Sequence, residues 1–130
     1  MATSIGKIST TGERLDLDIR QGATLKPVKH YLKNPDNSPV NLTGYTARGS
    51  VRRSALSPDV IATFDCHVES LAGWYSFGMS DEVTANISCG ASITDKSSQY
   101  EFDIELEDPA GNVQCTFYGP FRVKAEVTKP

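Results

Sequence analysis

A chain of 130 residues, 38% hydrophobic and 22% charged, is sized and composed for one soluble globular domain with one core. Its 13 basic and 16 acidic residues leave a net charge of −3, which argues against a nucleic-acid partner that needs a basic face. No apolar run approaches the roughly 20 residues of a membrane span, and Met1–Lys7 lacks the apolar stretch of a secretion signal, so synthesis and folding in a cytoplasm are expected.

Residues 1–13 are small and polar and read as an arm, flexible or docked on a partner, with Ile5 and Ile8 as its apolar anchors. Residues 14–130 read as the folded domain. Leu15, Leu17 and Ile19 alternate with Asp16, Asp18 and Arg20, the period of a strand with one buried face. Gln21-Gly22-Ala23 can bend or bulge it, and a second strand is expected over Val28–Lys33. Asn34-Pro-Asp-Asn-Ser-Pro39 is dense in turn-forming residues. Tyr45, Ala47, Gly49 and Val51 then share one strand face, and Thr46, Arg48, Ser50 and Arg52 the other.

A fourth strand is predicted over Val60–Val68 with Ala62, Phe64 and Cys66 inward, and a fifth over Gly73–Met79 with Tyr75, Phe77 and Met79 on one side and Trp74 on the other. Asp81–Ala85 tolerates a helical turn, with Ser80 as its cap and Asp81 and Glu82 suited to its N-terminal dipole. In the strand over 99–107, Tyr100, Phe102, Ile104 and Leu106 alternate with Glu101, Asp103, Glu105 and Glu107. Asp108-Pro-Ala-Gly-Asn112 turns it into strands over 113–118 and 121–128, which Gly119-Pro120 separates. About eight short strands joined by turns, with at most one short helical turn, suggest an all-β, antiparallel two-sheet sandwich or a small barrel, and the sandwich is the expected fold. Strand parity places Leu17, Ile19, Tyr45, Val51, Phe64, Tyr75, Phe77, Tyr100, Phe102, Ile104, Leu106, Phe117, Phe121 and Val123 in its core.

No catalytic residues, cofactor or metal site emerge from this pattern. The acidic row from Glu101 to Glu107 projects from a strand, whereas a calcium loop converges oxygens from a turn. A solvated face that discourages edge-to-edge pairing is the expected role. His30 and His67 stand in no metal-ligand spacing and have no assignable nucleophile partner. Cys66 and Cys115 fall on the apolar phase of their strands and are read as buried thiols; one disulfide with an odd thiol left over is the alternative. Arg48, Arg52 and Arg53 are read as partners of an acidic face or rim groups of an interface rather than as phosphate ligands. Trp74 and Tyr75 are read as core, with a sugar-stacking platform as the alternative.

Three segments, in this order, carry a resemblance: Leu17-Asp-Ile-Arg-Gln-Gly-Ala-Thr-Leu25, Lys33–Arg48 with its Leu42-Thr-Gly-Tyr-Thr-Ala47, and Tyr100–Val113. Together they resemble small tail-associated proteins of tailed bacteriophages and the N-terminal domain of phage baseplate upper proteins. The likeness spans residues 15 to about 127. It departs at Leu25-Lys-Pro-Val28, where relatives tend to carry an aromatic, and an adaptor carrying its own receptor-binding module is not expected. The resemblance implies an Ig-like sandwich and a virion protein that links tail, baseplate, neck or fibre components in symmetric copies, assembled in the host cytoplasm. A head decoration protein is the alternative reading, and a host-surface carbohydrate-binding module a third. The resemblance supplies no active-site residues. Ile5, Ile8, Arg48, Arg52 and Arg53 are the candidate interface residues.

Overall fold

The structure, a computed structural model, describes residues 12–89 and 97–127. In chain order the elements are β1 (Glu13–Arg14), β2 (Leu17–Arg20), β3 (Leu25–Tyr31), β4 (Thr46–Arg52), β5 (Val60–Thr63), β6 (Asp65–Glu69), β7 (Trp74–Met79), α1 (Asp81–Ala85), β8 (Ser97–Glu107) and β9 (Val113–Lys124). One sheet has the order β1-β9-β8-β4-β5, with β2 also alongside β9; the other has the order β3-β7-β6. The two pack into a β-sandwich, the predicted fold class. Ser80 caps α1 as expected, accepting from the Val83 N–H at 3.3 Å.

The sandwich is not wholly antiparallel. β1 and β2 both run parallel to β9, with Glu13 beside Phe117 and Leu17 beside Phe121. They are edge strands that reach β9 across the length of the chain, so no hairpin constrains their direction.

The stretch Val60–Val68 is two strands rather than one. β5 pairs with β4 in the larger sheet and β6 with β7 in the smaller. Phe64 alone separates them, and its N–H donates to the Gly49 carbonyl at 3.0 Å. Its ring meets Phe77 at 5.8 Å, Phe102 at 5.7 Å and Phe121 at 5.9 Å between centroids. Gly49 makes the room: a Cβ there would stand 2.9 Å from the Phe64 ring and 2.5 Å from Ile104 Cδ1.

The segment 113–124 shows the opposite correction, one strand where two were predicted. The break at Gly119-Pro120 is expressed in the neighbour instead. β1 and β2 are interrupted at Leu15-Asp16, and a Cβ on Gly119 would lie 2.1 Å from the Leu15 carbonyl oxygen. Glycine thus lets the two backbones approach closely.

Twelve of the fourteen predicted core residues are buried; Tyr45 and Phe117 are half-buried and pack against that core. Leu42 and Ile87 are buried although neither lies in a strand. Ile87 follows α1 and is held through its carbonyl, which accepts from Gln21 Nε2 at 2.6 Å. The Ser88 carbonyl likewise accepts from the Tyr100 hydroxyl. The parity of Cys115 changes because β9 carries a bulge at Thr116: Phe117 stands opposite Ile104, but Cys115 stands opposite Glu105. Cys115 therefore shares the outer face with Glu105, and Thr116 is the residue buried.

The Thr116 side chain is satisfied within its own sheet. Its hydroxyl donates to the Ile104 carbonyl at 3.2 Å, within the larger sheet. Tyr75 shares a 2.8 Å hydrogen bond with His30 Nδ1. The His30 ring also meets Phe117 of β9 edge-on, 5.0 Å between centroids. Burial pushes the Tyr75 hydroxyl up to about 12, so it stays a donor at neutral pH.

Replacing Phe64 by Ala removes a ring that packs against both sheets and should lower the unfolding free energy by about 3–5 kcal/mol, read as a shifted urea midpoint. Burial lowers the pKa of His30 from its ordinary 6.5, and nearby Glu13 opposes this only in part. The unfolded chain therefore binds more protons than the folded one below about pH 6.5. Stability should fall as the pH drops through this range, and His30→Asn should flatten that part of the profile in denaturant titrations at stepped pH.

Candidate functional site

The outer face of the larger sheet is a lattice of opposite charges. Arg48, Ser50 and Arg52 of β4 stand opposite Glu105, Asp103 and Glu101 of β8. Arg48 bonds Glu105 and Glu107, each at 2.9 Å. These two carboxylates push the Arg48 pKa up. Ser50, Asp103, Tyr118 and Arg14 form one continuous row across β4, β8, β9 and β1. Beside it runs the row Arg52, Glu101 and Pro120.

Between these rows lies an open groove of about 380 Å³. Its walls are well occupied. Arg52 donates to the carbonyls of Ser57 at 3.0 Å and Pro58 at 2.8 Å, which ties down the loop after β4. Glu101 accepts from the Ala55 N–H of that loop at 2.7 Å. Arg14 pairs with Asp16 at 3.2 Å. The Asp103 carboxyl is raised above its usual range by partial burial and by Glu105, with Arg52 and Arg48 opposing.

The three candidate arginines thus have three different uses. Arg48 is neutralised within its own sheet and Arg52 clamps a loop. Arg53 lies past the end of β4 and stacks 5.6 Å from the centroid of the Tyr100 ring. They do not converge on one ligand. Ile5 and Ile8 lie outside the described residues. Arg14 and Tyr118, which sequence reasoning did not single out, border the groove because the parallel β1 brings them side by side. Only the register reveals that neighbourhood; the exposed aromatic just before Gly119-Pro120 is its one trace in the sequence.

A second constellation occupies the outer face of the smaller sheet. The rows Lys29, Ser76, His67 and Tyr31, Trp74, Glu69 each cross all three strands. Lys29 Nζ sits 4.3 Å over the Trp74 ring, with Tyr31 at 6.4 Å and His67 at 5.6 Å. Trp74 therefore belongs to the outer face and only Tyr75 to the core, a correction that follows from strand parity. Lys29 and His67 flank Ser76, and the indole between them helps leave Ser76 only 5% exposed.

Neither histidine faces a nucleophile. His30 bonds Tyr75 as described, and His67 Nε2 lies 3.0 Å from Glu69. The Cys66 thiol, pushed up to about 11 by burial and by Asp65, is protonated at neutral pH. Among the described residues, no three His, Cys, Asp or Glu side chains converge to hold a metal ion. No described helix is long and apolar enough to cross a membrane. No protein-family model and no curated protein matches the chain.

Arg48→Ala should lower stability by no more than about 1 kcal/mol, because both partners are exposed ion-pair members. The loss should shrink as salt is added, which denaturant unfolding at two ionic strengths will read.

Proposed function

We propose that the chain is a structural adaptor of a bacteriophage virion, linking tail, baseplate or neck components through protein–protein contacts in symmetric copies. The observation that carries the reading is where the N-terminal segment joins the sandwich. β1 is the edge of the larger sheet, and Gly12 before it packs against the backbone of Cys115 and Thr116. An arm attached at an open sheet edge is placed for main-chain pairing with another subunit. The segments that carry the phage resemblance support it further. They supply β2, the strand β4 with the loop before it, and β8 with its turn, all in this same sheet.

On this reading the work is binding, without catalysis or a cofactor, and the site of action is the assembled particle. A head decoration protein would use the same edge on a capsid lattice, and locating the tagged chain on particles separates the two. A carbohydrate module fits less well, because the Lys29 ammonium lies over the indole face on which a sugar would stack.

The test is a deletion of residues 2–11, which spares Gly12 and β1. The sandwich should fold with unchanged strand content while incorporation into particles is lost. Incorporation at full occupancy would overturn the arm reading.

A further inference from the structure

We infer that the outer face of the smaller sheet is a self-association surface whose occupant is a second copy of this chain. The face has three strands, with β3 and β6 at its edges and β7 between them. Its charges are segregated by edge. Lys29 projects from β3, whereas Asp65 and Glu69 are the exposed charges of β6. Along the centre runs β7, with Trp74 beside Tyr31, whose exposure is 55%.

Such a face is complementary to itself in one arrangement. A two-fold axis parallel to β7, placed between two facing sheets, superposes β7 on β7 and exchanges the edges. The basic β3 of each copy then covers the acidic β6 of the other. Lys29 comes to lie over the row of its counterpart's His67, between Asp65 and Glu69 of the second copy. The Trp74 side chains meet near the axis and Tyr31 closes over Glu69. The alternative axis, perpendicular to the strands, would lay β3 on β3 and set Lys29 against Lys29. Charge therefore selects the first arrangement. Strands about 4.8 Å apart make so narrow a face that its area is at the low end for specific contacts, and association should depend on concentration.

This inference rests on the symmetric-assembly reading only for its place in a particle. The association is a property of the isolated chain, so its failure leaves the arm deletion result untouched. Sedimentation equilibrium of the full chain should show a reversible monomer–dimer mixture. Trp74, the only tryptophan, should change its emission on dilution. Lys29→Glu should weaken dimerisation at least about tenfold, as should the double substitution Asp65→Lys with Glu69→Lys, which corresponds to about 1.4 kcal/mol. Mixing these two variants should restore a one-to-one dimer, since both contacts are again between opposite charges. That rescue also proves that each variant is folded. A wild-type chain that remains monomeric at every concentration would overturn the inference. So would variants that dimerise undiminished, or a mixture that shows no rescue.

Discussion

Everything else in this sandwich hangs on the crossing at Phe64. One residue carries the chain from the larger sheet to the smaller, and its ring packs against aromatics of both. A crossing this short leaves no slack. β5 must end where its pairing with β4 ends, and β6 must begin at once beside β7. The missing Cβ of Gly49 is the matching half of the constraint, since it admits both the Phe64 ring and Ile104. The spacing and relative tilt of the sheets follow from what packs around this corner.

At another place a polar pair of the smaller sheet packs against a ring of the larger one. His30 Nδ1 of β3 and the Tyr75 hydroxyl of β7 share a 2.8 Å hydrogen bond, and the His30 ring meets Phe117 of β9 at 5.0 Å. Without the β9 bulge, Thr116 would take the outward phase. The extra residue in β9 thus turns a hydroxyl inward, where it donates to the Ile104 carbonyl, and the same slip carries Cys115 outward.

Strand identity and facing were legible in the sequence wherever alternation was strict. Tyr100 to Leu106 show the expected parity with no exceptions, while in Tyr75 to Met79 the apolar phase is buried as expected but Ser76 and Gly78 of the opposite phase are buried as well. Legibility failed where the controlling information is long-range. No local pattern announces that Val60–Val68 changes sheets at Phe64, because both halves keep the same alternation through the crossing. The Gly119-Pro120 signal was real, but its effect fell on β1 and β2, which lie about a hundred residues away. Leu42 and Ile87 sit in loops, where no periodicity exists to be read. At the candidate site, the charges on β4 and β8 were visible. That they face each other, and so consume Arg48, required the register.

The parallel pairing of β1 and β2 with β9 also bears on the order in which the protein can form. β3 to β7 find partners soon after they are made, and β8 can pair with β4 before β9 exists. β1 and β2 cannot, because the only strand they contact in their sheet comes last. During synthesis on a ribosome they must wait until β9 has emerged. Closing so large a loop late in the process is slow relative to hairpin formation. An incomplete chain, stopped before β9, therefore leaves two stretches of strand-forming sequence without partners and β8 with an open side. Quality-control machinery can distinguish such a fragment from the finished molecule by those edges alone.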